Sequence, residues 1–210
     1  MISGQLQAHD SFNEKILESF RRVPRELFVP APLKEVAYVE GALPLSSERT
    51  LMAPLMLAKI LKQVPLQKNH SLMIVGGGTG YSAAILSPLV STLFFVEPEK
   101  DLMDQARKNL DSLHVDNVVF SETPLRAGVS QQDPFHFILI EGGVTDVPDT
   151  LFHQLRSEDG VLAACVISGP LQGEVTLFKR ENYTIHKEKI MGGYLTPLKE
   201  FTALKEFDFS

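Results

Sequence analysis

The sequence predicts an α/β domain with a mostly parallel central sheet and helices on both faces, preceded by an N-terminal helical region. Three observations carry this expectation. Short apolar runs alternate with helix-patterned stretches from about residue 68 onward, and repeated βα units of this length imply parallel strands joined by crossovers. The glycine-rich stretch Gly76-Gly77-Gly78-Thr79-Gly80 follows the first of those runs, and ligands bind at the carboxyl edge of such sheets. Residues 1–67 show helical spacing and proline punctuation instead of strand alternation. One domain over 1–210 is expected, with 1–67 as a helical region and 68–210 as the sheet-bearing core.

Ser11 with Glu14 has the capping-box pattern ahead of Phe12, Ile16, Leu17 and Phe20, and Pro24 ends that helix. Arg21, Arg22 and Arg25 are expected on the solvated side of the helix and its exit. A second helix is predicted from Pro54, where the missing N–H costs nothing, through Leu57, Ala58, Leu61 and Val64. Leu72–Val75 is a short apolar run, and a helical stretch from about Tyr81 to Ser87 follows the glycines. Thr92–Val96 is β-branched and aromatic, a strand. Leu102, Met103, Ala106, Leu110 and Leu113 trace one face of a helix. Val118–Phe120 and Phe135–Ile140 read as strands, Pro148 to Leu155 as a helix and Val161–Ile167 as a buried strand. From Glu174 onward, strand-like pieces are expected to extend the sheet edge in antiparallel fashion.

Composition narrows the function classes. The formal net charge is -6 and the pI about 5.5, so phosphate backbones are repelled and nucleic acid is not expected as a ligand. No segment approaches the roughly 18 apolar residues that span a bilayer. The first ten residues lack the apolar stretch of a signal peptide. The single cysteine, Cys165, permits no intrachain disulfide. A cytoplasmic monomer with no membrane attachment is expected. The histidines at 9, 70, 114, 136, 153 and 186 show no close metal-ligand spacing, so no metal is expected.

The glycine loop has the spacing G-x-G-x-G, with Tyr81 where the dinucleotide fingerprint needs its last glycine. That argues against a nicotinamide enzyme. Glycines here let the backbone turn tightly and approach a ligand closely, which makes Gly76, Gly78, Thr79 and Gly80 candidate cofactor contacts. Glu97 ends the next strand, and its carboxylate can accept from two ribose hydroxyls at once. A plain tight turn and a solvated acid are the alternatives. Their occurrence together, in order, favours a ligand, and the loop is expected to face an open cleft lined by Glu97.

Val23-Pro24-Arg25-Glu26-Leu27-Phe28-Val29-Pro30, Ala37-Tyr38, Ala42-Leu43-Pro44-Leu45, Thr50-Leu51-Met52-Ala53-Pro54, Gly76 through Ala84, Pro134-Phe135, Val147-Pro148 and Gln154-Leu155 occur in that order. Together they resemble the protein-L-isoaspartate O-methyltransferases over roughly Val23 to Val166. The resemblance implies a Rossmann-like S-adenosylmethionine-dependent methyltransferase fold. It also implies methyl transfer from S-adenosylmethionine to isoaspartyl carboxylates of damaged proteins. Thr50 and Met52 fall in the acceptor loop, with Met52 in place of the family's serine. Ile74 and Pro124 stand where the family carries acids near the cofactor. Glu141, just past the strand ending at Ile140, is a candidate substitute that could pair with the cofactor's positive charge, repel an acceptor carboxylate or be a plain solvated loop acid; Glu122 is a weaker one. A non-catalytic protein on the same scaffold, or a methyltransferase with another acceptor, are the alternatives.

Overall fold

A computed structural model describes residues 4, 6, 12–129 and 134–202. Helix α1 spans Glu14–Arg22 and is capped by Asn13, whose side chain accepts the Lys15 N–H at 2.9 Å. The capping box expected at Ser11 falls outside the described residues. Glu14 in the first turn and Arg21 and Arg22 in the last complement the helix dipole. Val23 is extended (φ -106°, ψ 105°), as the residue before Pro24 must be. Helix α2, Pro54–Gln63, begins with proline at its first turn behind an extended Ala53.

Between these helices a small hairpin pairs β1 (Leu43–Pro44) with β2 (Thr50–Leu51). The larger sheet holds seven strands among the described residues, ordered β5-β4-β3-β6-β7-β8-β9. These are β3 Ser71–Val75, β4 Thr92–Val96, β5 Val118–Ser121, β6 Phe137–Val144, β7 Val161–Gly169, β8 Gln172–Glu181 and β9 Thr184–Gly192. Strands β3 to β7 pair in parallel, and β8 and β9 add antiparallel. Helices α3 (Tyr81–Leu86), α4 (Lys100–Ser112) and α5 (Asp149–His153) are the remaining α-helices described. The chain has a Rossmann-like α/β fold.

Alternation along β3 splits the core. Leu72 and Ile74 join a cluster with Leu17, Phe20, Leu57, Leu61, Ala83 and Leu110, which ties the N-terminal helices to one face of the sheet. Met73 and Val75 join the other, with Phe135, Leu151, Leu155, Leu198 and Phe201. Strand β6 differs from its expected span. It starts at Phe137 and continues through Gly143, with a register shift against β7 between Leu139 and Gly143. The two glycines let it continue, because side chains there would meet Leu198 at 2.3 Å and Leu195 O at 2.5 Å. Strand β9 closes the far side and carries His186, Lys187, Glu188 and Lys189, all exposed. Lys179–Glu188 and Lys189–Glu174 pair across β8 and β9 at 2.6 Å each.

Candidate active site

The chain leaves β3 for β4 and β5 on one side and returns to β6 on the other. This reversal marks the carboxyl ends of β3 and β6 as the edge where folds of this kind bind ligands. Val75 is paired with both Val96 and Ile140. The next residue of each strand is therefore delivered to the same edge: Gly76 in the middle, Glu97 on one side and Glu141 on the other. Gly76 and Gly78 have φ of +75° and +58°, a left-handed region open to glycine. Glu97 accepts the Gly78 N–H at 2.9 Å.

Glu97 does not line an open cleft. It is fully buried, and its carboxylate is held by Arg49, which is itself only 4% exposed. Arg49 Nη1 donates to Glu97 Oε1 at 2.8 Å and to Glu99 Oε1 at 3.0 Å, while Nη2 donates to Glu97 Oε2 and, at 2.6 Å, to the Gly76 carbonyl. Burial alone would lower the Arg49 pKa; the bonded Glu97 and neighbouring Glu99 carboxylates outweigh it, and the value is raised. Leu45 covers Gly78, lying 2.8 Å from where a Cβ would stand, and Leu198 lies 3.5 Å from the equivalent point at Gly76. The expected open cleft is covered by the chain's own hairpin because Arg49 satisfies a carboxylate that would otherwise be buried unpaired.

Glu141 is also buried, and among the described residues its Oε1 has no hydrogen-bond partner. Burial pushes its pKa up to about 7, opposed by the nearby Ser82 hydroxyl and Arg49 guanidinium. Thr79 donates its hydroxyl to the Phe28 carbonyl at 2.6 Å and so fastens the loop to the N-terminal region. Gly80 serves helix packing: a Cβ there would be 3.3 Å from that of Ala106. Thr50 Oγ1 accepts the Thr196 N–H at 3.4 Å. Met52 is buried in the core and does not present its side chain to an acceptor. Ile74 is likewise buried, so an apolar residue there is explained by packing. Pro124 and Glu122 are exposed. The amides after Pro124, those of Leu125 and Arg126, donate to the Glu200 carboxylate at 3.1 and 3.4 Å.

Arg25 is a second correction. Instead of meeting solvent it is fully buried. Its Nε donates to the Ala37 carbonyl at 2.8 Å and its guanidinium lies over the Tyr81 ring, 4.6 Å from the centre. Neither Arg25 nor Arg49 was marked by spacing. Each is the long cation that the fold turns inward, Arg25 from a single 3-10 turn and Arg49 from a hairpin turn, and segments that short carry no period to read.

The family model for protein-L-isoaspartate(D-aspartate) O-methyltransferase matches residues 2–201. The chain is 33% identical over 189 residues to the protein-L-isoaspartate O-methyltransferase of Methanothrix thermoacetophila, covering 89% of this chain and 88% of that protein. It is 36% identical over 174 residues to that of Pseudomonas syringae pv. tomato, covering 81% of each. A solved protein-L-isoaspartate O-methyltransferase superposes with a TM-score of 0.77 at 25% identity, over 89% of this chain and 61% of the other. A Plasmodium falciparum structure of that description, solved with S-adenosyl-L-homocysteine, shares the fold with a TM-score of 0.79 at 17% identity, over 95% and 96%. From the ordered motifs, the glycine loop beside Glu97 and these matches, the chain belongs to the protein-L-isoaspartate O-methyltransferase family.

Proposed function

We propose that this chain transfers a methyl group from S-adenosylmethionine to the carboxylate of isoaspartyl residues in damaged proteins or peptides. The observation that carries the reading is Glu97 held against the Gly78 N–H at the reversal point of the sheet, in a chain of this family. The residues suit the cofactor in kind. Glu97 would accept from the ribose hydroxyls once free of Arg49. Gly76 and Gly78 keep the loop bare for a close approach. Glu141, with a buried oxygen lacking a partner among the described residues, offers an acceptor for a cationic end. When bound, S-adenosylmethionine supplies a methyl group on a sulfonium centre.

The chain's own residues have little acid–base work to do. The acceptor carboxylate is ionised at neutral pH, so no residue must remove a proton. Rate comes from alignment of acceptor and donor, and from keeping water out. Thr50 is the acceptor-loop hydroxyl and would orient the acceptor; Met52 supports that loop from the core. A monomer in the cytoplasm fits the acidic charge and the buried, unpaired Cys165.

The test is transfer of a labelled methyl group to matched isoaspartyl and aspartyl peptides by wild type, Thr50→Val and Gly78→Val. Transfer to the isoaspartyl peptide alone is expected. Thr50→Val should cut it about tenfold through one lost hydrogen bond. Gly78→Val should cut it further, because φ of +58° strains a β-branched residue and Leu45 stands 2.8 Å from the new Cβ. No transfer from folded protein at saturating cofactor would overturn the reading, and equal transfer to both peptides would overturn the acceptor.

A further inference from the structure

The ligand-facing carboxylate of this chain already has a ligand, and it comes from the chain itself. Arg49 sits on the turn of the β1–β2 hairpin, where its carbonyl accepts the N–H groups of Leu45 and Ser46 at 2.8 and 3.2 Å. Its guanidinium forks onto both oxygens of Glu97 and reaches the Gly76 carbonyl. Those are an acceptor carboxylate and the loop backbone that a ribose would meet. The pair is buried, so water screens it little, and a forked Arg–carboxylate contact is among the strong hydrogen-bonded arrangements. A nucleoside and the Arg49 side chain cannot use Glu97 together, because Glu97 accepts two bonds from Arg49, one from Gly78 and one from the Glu99 N–H.

We propose that Arg49 is a built-in competitor for the cofactor: the hairpin latches onto Glu97, and binding of an adenosyl ligand requires Arg49 to leave. This deepens the methyltransferase reading and rests on it. The turn of the hairpin is the part that lifts, because Leu43 and Leu51 anchor the two strands in the core. The hairpin's strands are two residues each, and a pair that short is marginal by itself. Beyond Arg49, its described ties to the main body include Leu45 over Gly78, a surface ion pair from Glu48 to Lys199, and Thr50 to the Thr196 N–H. Exposed ion pairs contribute little. Arg49 is thus the polar contact that ties the turn down onto Glu97. Apparent cofactor affinity is the intrinsic affinity reduced by the fraction of molecules with Arg49 displaced.

Calorimetric titration with S-adenosylhomocysteine, for wild type, Arg49→Gln and Arg49→Ala, measures this directly. Both variants are expected to bind at least about tenfold tighter than wild type. Hydrogen exchange on the wild type needs no variant to fold: the ligand should slow exchange in the glycine loop while speeding it in residues 45–49. Equal affinities, with hairpin exchange unchanged on binding, would overturn the latch and leave the methyltransferase reading intact. Absence of binding in wild type and in both folded variants would overturn that reading and the latch with it.

Discussion

His70 and His136 stack face to face, with 3.8 Å between ring centres and 11° between ring planes. They lie at the amino-terminal edge of β3 and β6, the end of the sheet away from the glycine loop. Each Nδ1 accepts a backbone N–H at 3.3 Å, from Gln67 to His70 and from Ser71 to His136. Protonation would replace each acceptor with a donor facing a donor, and would set two cations against one another. Burial lowers both pKa values; His136 adds to the effect at His70, Arg156 adds to it at His136, and Asp159 opposes it at both.

A pH dependence of stability follows. With folded values below the ordinary 6.5, the unfolded chain binds more protons in the window beneath that value. Stability from this pair is full above about pH 6.5 and is lost as pH falls through the lowered values. The His pair's contribution to the urea midpoint should drop between about pH 7 and about pH 5 in the wild type, against the opposite trend set by Glu141. His136→Phe keeps an aromatic face on His70 and removes one titration, so its decline should be shallower. An identical slope in the variant would rule the pair out as the cause.

Glu141 titrates in the opposite sense. Its folded pKa is raised from 4.5 to about 7, so its contribution is full below about pH 4.5 and is lost as pH rises through 7. Holding an ionised carboxylate in that place costs on the order of 3 kcal/mol. Glu141→Gln keeps the shape and abolishes the titration. The variant should gain on the wild type as pH is raised from about 4.5 to about 7.5, read as the difference in urea-unfolding free energy. A constant difference across that range would show that Glu141 is ionised throughout.

Arg25 and Tyr81 form a buried pair whose coupling can be measured. The guanidinium sits over the ring, and a desolvated cation–π contact is worth about 2 kcal/mol. A double-mutant cycle with Arg25→Lys and Tyr81→Leu should return a coupling of roughly 1–2 kcal/mol. Arg25→Lys alone should destabilise by about 1.5–3 kcal/mol, because an ammonium cannot both stack and reach the Ala37 carbonyl as the fork does. Additive single effects would show that burial of each residue, and not their contact, is what matters.

Periodic segments were legible in the sequence. The apolar run before the glycines became β3, the heptad-like stripe of Met103, Ala106 and Leu110 became the buried face of α4, and Pro54 opened α2. These signals are local, since burial of one face imposes its period on the residues themselves. Glu97 and the glycine loop were legible as neighbours because parallel register delivers the residue after Val96 beside the residue after Val75. Arg49 and Arg25 were not, because a long side chain from a single short turn can point outward or inward with the same local sequence. Glu200, whose carboxylate caps the turn after Pro124 from far along the chain, illustrates the same limit. Its partner amides lie 75 and 74 residues away.

Among the described residues, strand β9 is one edge of the sheet. An outermost strand offers unpaired amides and carbonyls to any passing extended chain. Here a newcomer would have to settle against His186, Lys187, Glu188 and Lys189, stripping water from charges of both signs before a backbone bond forms. For a protein whose proposed substrates are damaged polypeptides, that border disfavours annealing of an extended client to its flank.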